Sequence, residues 1–84
     1  MLSAKQWDEL YEVLDKISAE DLTGVSYHGT GVFSFDSAGN NGLEIAAVKY
    51  CLLRRLGDKY DIALTAMTVD GYDQIILNFE FSPK

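Results

Sequence analysis

The side chains able to do covalent or acid–base chemistry are few in this 84-residue chain: one histidine, His28, one cysteine, Cys51, and the serines of the stretch Val25 to Asp36, VSYHGTGVFSFD. A histidine beside a serine is the start of a nucleophilic site only where a third group orients the imidazole and the hydroxyl lies within hydrogen-bond reach. Alternation along the stretch puts Ser26, His28, Ser34 and Asp36 on one side, so they can approach one another, but no spacing marks a dyad or triad. A plain surface histidine is the expectation. One His, one Cys on another element and scattered carboxylates lack the spacing of metal ligands, so neither metal nor cofactor is expected. Gly29-Thr30-Gly31 and Gly39-Asn40-Asn41-Gly42 resemble glycine-rich loops, the second opening onto a helix. Both lack the lysine and the spacing of a phosphate-binding loop, and turn geometry accounts for them.

The polar pattern with the sharpest functional meaning is acidic. Asp8, Glu12 and Asp15 follow one another at i, i+4, i+7, and Glu20 with Asp21 can extend the ridge. Carboxylates one helical turn apart stand ~5–6 Å from each other, a row that can imitate a phosphate backbone to a protein that binds nucleic acid through Arg and Lys. Seven Lys and Arg dilute this charge, and a solvated helix face is the plainer reading. Charge is divided along the chain: seven acids against Lys5 and Lys16 up to Leu43, then Lys49, Arg54, Arg55 and Lys59 against Glu44 and Asp58 up to Tyr60. The net charge of −6 and pI of about 4.4 disfavour general attraction to nucleic acid or to an anionic membrane.

These residues must be positioned by a single small domain spanning 1–84. A 48% hydrophobic and 24% charged composition is that of a globular chain. The lone cysteine, amid apolar neighbours, reads as a buried inert thiol in a reducing cytoplasm. No signal peptide or membrane span is legible. Ser3 caps a first helix over Ala4 to Ile17, since Trp7, Leu10, Tyr11, Leu14 and Ile17 recur at helical spacing. Ser18 to Gly24 reads as a turn, with or without one short helical turn begun by Ser18. Val25 to Asp36 is too long for one strand of so small a domain, which favours a hairpin with loop Gly29-Thr30-Gly31, pairing His28 with Val32 and Tyr27 with Phe33. Ser37 to Asn41 is a loop, with Asn41 and Glu44 forming a capping box for the next helix and Gly57 a left-handed residue after it.

Asp70-Gly71 between two β-rich runs predicts a two-residue turn, pairing Val69 with Tyr72, Met67 with Gln74, Thr65 with Ile76 and Leu64 with Leu77. Tyr60, Ile62, Leu64, Ala66, Ile75, Leu77, Phe79 and Phe81 then face the helices. Met67, Val69, Tyr72 and Ile76 make an apolar patch on the reverse side. The fold class is α+β in order α-ββ-α-ββ, with a three- or four-stranded antiparallel sheet and two helices on one face.

The helix from Gly42 to Gly57, GLEIAAVKYCLLRRLG, is apolar on two faces. Ile45, Val48, Leu52 and Leu56 lie on one. Leu43, Ala46, Ala47, Tyr50 and Leu53 lie on the other, interrupted by Arg54. A helix apolar nearly all round is covered on both sides, so either the first helix hides the second group or another chain does. The functional expectation is a small acidic, non-enzymatic protein-binding module in the cytoplasm: a phage or bacterial inhibitor, immunity or adaptor protein, or a homodimer. Its contacts would be Leu43, Ala47, Tyr50, Leu53 and Arg54, with Asp8, Glu12 and Asp15 steering a partner that can be a nucleic-acid-binding effector. The alternatives are a small-ligand binder built on His28, Tyr27 and the glycine loops, and a structural subunit of a larger assembly.

Overall fold

In the computed structural model of the chain, residues 2–37 and 41–84 are described, 41–43 by backbone alone. Ser3 opens α1 (Ala4–Asp21) with a capping box: its hydroxyl accepts the Gln6 N–H at 3.2 Å, and Gln6 Oε1 accepts the Ser3 N–H at 2.8 Å. Two of the helix's orphan donors are thereby satisfied. The helix runs a full turn past Ile17, so Ser18 to Asp21 continue it rather than forming a turn or a separate helical turn begun by Ser18. Ser18 explains the extension: it is buried inside the helix, and its Oγ donates to the Val25 carbonyl at 2.7 Å, fastening the last turn to the strand that follows.

That strand, β1 (Val25–Gly29), and β2 (Val32–Asp36) form the expected hairpin, with Tyr27 opposite Phe33. His28 does not face Val32, however; a bulge between Tyr27 and Gly29 brings Gly29 into that place. The loop contracts to Thr30-Gly31, whose φ values of 48° and 82° are the left-handed pair that a tight hairpin demands. Gly31 is needed twice over, because a Cβ there would stand 2.3 Å from the Phe79 carbonyl oxygen. Close approach lets the Gly31 carbonyl accept the Phe79 N–H at 2.8 Å, clamping the first hairpin to the second.

After α2 (Asn41–Leu56) come β3 (Tyr60–Val69) and β4 (Gln74–Pro83), giving one antiparallel sheet of four strands in the order β1-β2-β4-β3. The cap expected from the Asn41 side chain lies outside the described residues. Gly57 donates its N–H to the Leu53 carbonyl at 2.9 Å, and is not among the glycines at positive φ, so the helix ends without the expected left-handed residue.

The second hairpin also departs from its expected form. Asp70 bonds across to Gln74 through its N–H, and its Oδ1 accepts the N–H groups of Tyr72 and Gln74 at 2.8 and 3.0 Å. Gly71, Tyr72 and Asp73 therefore form a three-residue loop, with Asp73 at φ 59° in the left-handed position. An aspartate that supplies its own acceptor to the turn makes this longer loop as natural as the two-residue one. Register follows: Val69 meets Ile75 rather than Tyr72, and Met67 meets Leu77 rather than Gln74. Thr65, expected opposite Ile76, sits in a bulge between Leu64 and Ala66, and Leu64 pairs with Phe79 instead of Leu77. Its hydroxyl donates to the Asn78 carbonyl at 3.1 Å.

The bulge reverses the facing of β3. Before it, Tyr60, Ile62 and Leu64 share the core side of the sheet, as expected. Beyond it, Met67 and Val69 pair with the buried Leu77 and Ile75 and so project from the core side, while Ala66 turns away. Both helices lie on that side, α1 over β1 and α2 against β3. The core joins Leu10, Leu14 and Ile17 of α1 and Val48, Leu52 and Leu56 of α2 to the aromatic rows Tyr27-Phe33-Phe35 and Phe79-Phe81. Phe81 is its hinge point, meeting Trp7 edge-on at 5.8 Å between ring centroids and Tyr60 at 6.1 Å. This is the α+β architecture, with helices on one face, that the sequence implies.

Candidate functional site

On the solvent side of the sheet, the pairing of Ser26 with Ser34 places His28 diagonally across from Ser34, and His28 Nε2 lies 2.6 Å from Ser34 Oγ. These residues, with Val32, Asp70, Gln74 and Ile76, line a depression of about 460 Å³. Asp70, which lines the same depression, accepts the two N–H groups of its own turn at Oδ1. Tyr27, expected to join His28 around a ligand, points the other way. It is buried in the core against Phe33 and Tyr11, with ring centroids 4.8 and 5.3 Å away. The glycines of the first loop do not line the depression either. Burial raises the Tyr27 hydroxyl pKa above its ordinary 10.0, against the opposing hydrogen bond it accepts from the Gly31 N–H, while Tyr11 and Asp15 add to the rise. Tyr27 is thus a neutral structural phenol.

A second hollow, about 480 Å³, lies between the helix ends and is lined by Glu20, Asp21, Cys51, Arg54 and Arg55. Arg55 reaches Asp21 at 2.7 Å, joining α2 to the end of α1. Both partners are substantially exposed, so the pair contributes at most about 1 kcal/mol. Its larger consequence is electrostatic: Arg55 offsets the charge of Asp21, so of the two residues expected to extend the exposed ridge Asp8, Glu12 and Asp15, Asp21 is taken up in an ion pair while Glu20 stays exposed. Cys51 is a free thiol, half-buried rather than fully buried. Among the described residues, no three His, Cys, Asp or Glu side chains gather to hold a metal ion, and no helix is long and apolar enough to cross a membrane.

The outward side of α2 is the more informative surface. Val48 and Leu52 are fully buried, as expected, and Ile45 is half-buried. Tyr50 and Leu53 remain 64% and 53% exposed, beside exposed Ala46, Ala47 and Arg54. Leu43, expected in the same group, has its side chain outside the described residues. The first helix does not cover this stripe, because its aromatic face is spent on the sheet, Trp7 against Phe81 and Tyr11 against Tyr27. Tyr72, at the tip of the second hairpin, is 88% exposed. Met67 and Val69 are 56% and 63% exposed on the helix side, not on the reverse side where alternation had put them. Only the bulge at Thr65 moves them there, and nothing in the residue pattern marks it. Comparison with family models, with curated proteins and with solved structures finds no match for this chain.

Proposed function

We propose that the chain is a non-enzymatic protein-binding module that docks through the outward stripe of α2. The observation that carries this reading is the exposure of Tyr50 and Leu53 on a helix whose opposite side buries Val48, Leu52 and Leu56. A tyrosine offers a large rigid apolar body with a polar tip, which is the chemistry of an interface anchor. Arg54 beside it supplies a forked donor for a carboxylate at the rim. Asp8, Glu12 and Asp15 on α1 give the molecule an acidic flank that raises the rate of encounter with a basic partner without making the main contact. A nucleic-acid-binding effector is such a partner, and an inhibitor, immunity or adaptor role in a bacterial or phage cytoplasm suits a module of this size and charge.

Immobilised protein incubated with extract of its native host tests the reading. Tyr50→Asp combined with Leu53→Asp is expected to abolish capture of the partner while the variant stays folded. Reversing the charges of Asp8, Glu12 and Asp15 should slow association and weaken its salt dependence, leaving dissociation nearly unchanged. Undiminished capture by the Tyr50, Leu53 double variant would sink the proposal.

A further inference from the structure

The strand order leaves β3, ten residues long, at one edge of the sheet. Such edges are ordinarily blunted by lysine, proline, inward charges, bulges or a covering element. From Ile62 to Val69 the sequence IALTAMTV holds neither charge nor proline, and its one protective device is the bulge at Thr65. Beyond that bulge, Ala66 to Val69 is regular strand. The Asp70 N–H bonds inward to Gln74, so the two-residue alternation of an antiparallel ladder turns the backbone groups of Thr68 toward β4 and those of Met67 and Val69 toward the open edge. The same two residues carry the exposed apolar side chains on the helix side of the sheet. Backbone and side chain are thus presented together.

Building on the reading of the chain as a binding module, we propose that a second copy of the chain pairs with this edge, antiparallel about a twofold axis at Thr68, joining two sheets into one. A twofold axis makes every contact reciprocal: Met67 of each copy meets Val69 of the other and exchanges ladder hydrogen bonds with it, and Thr68 meets its own counterpart. Thr–Thr and apolar cross-strand pairs are favourable, while like charges placed opposite are not, and this segment has none to oppose. Between Asp61 and Asp70 the strand carries no charge, so two copies of a chain of net charge −6 meet along Ile62 to Val69 with no like-charged pair opposite. The charge-free segment has nothing with which to select a foreign strand. The pairing is short, and the dimer is accordingly weak and concentration-dependent.

Sedimentation equilibrium of the full chain across the micromolar range tests it. A monomer–dimer equilibrium is expected, with the Met67 and Val69 amides gaining protection from hydrogen exchange as concentration rises. Val69→Lys restores a natural edge guard at an exposed position, so folding is retained. Because the substitution occurs twice in a twofold interface, it should raise the dissociation constant at least about tenfold. A chain that stays monomeric throughout, or a dimer indifferent to Val69→Lys, overturns the proposal. Dissociation by Tyr50→Asp but not by Val69→Lys would also overturn it, since self-association would then run through α2; the binding-module reading would survive that result and is judged separately by capture from extract.

Discussion

Phe81→Ala is expected to remove about 3–5 kcal/mol of stability, the usual cost of emptying a fully buried aromatic site. Small domains are stable by only about 5–15 kcal/mol, so the variant should be close to unfolded at physiological temperature. The reason lies in what the ring joins. Phe81 is completely buried, with Trp7 of α1 edge-on to one part of the ring and Tyr60 of β3 edge-on to another. Its loss separates the first helix from the outer strand pair as well as leaving a void. Denaturant titration should show a lower midpoint with little change in slope, since the surface exposed on unfolding is nearly the same. A loss below about 1 kcal/mol, the level of an ordinary surface substitution or little more, would mean that the core is not organised around this residue.

Leu52→Asp and Leu53→Asp, neighbours in α2, should have opposite outcomes. Leu52 is fully buried, and a carboxylate there has no partner, which places the substitution among the rare ones costing more than about 4 kcal/mol. No soluble folded protein is expected. Leu53 is more than half exposed, so its aspartate meets water and should shift stability by no more than about 0.5 kcal/mol. Thermal unfolding followed by circular dichroism reads both. Equal damage from the two would show that the stripe of Tyr50 and Leu53 is part of the core, and the functional proposal would lose its foundation.

Much of this architecture was legible because local chemistry and tertiary need agree in it. Ser3 at a helix start, helical spacing from Trp7 to Ile17, and alternation on either side of Gly29-Thr30-Gly31 each have one economical solution. The two-faced character of 42–57 was equally plain, and only the choice between an internal and an external cover remained open. That choice depended on where the Trp7 and Tyr11 side of α1 would pack, which no feature of α1 alone reveals. Its rings settle on Phe81 and Tyr27 of the sheet.

The errors of register share a cause. A bulge adds one residue without a distinctive sequence, as at Tyr27/Gly29 and Leu64/Ala66. Asp70-Gly71 is compatible with two loop lengths, and the extra hydrogen bonds from the Asp70 carboxylate favour the longer. Because side chains alternate every residue along a strand, one inserted residue moved Met67 and Val69 to the opposite side of the sheet. The β3 edge could not be recognised as a paired backbone and side-chain surface until that displacement was known. His28 and Ser34 were rightly placed on one face, yet their proximity came without Tyr27 or the glycine loop that a ligand site on them would need.

The most direct measurement is photo-crosslinking in extract of the native host, with benzoylphenylalanine in place of Tyr50, an aromatic-for-aromatic exchange at an exposed position, and of Glu80 on the far side of the sheet as the comparison. The account predicts a discrete protein adduct from position 50 that is competed by unlabelled chain, and none from position 80. An adduct from position 80 with none from position 50 would contradict it, placing the working surface on the opposite side of the molecule.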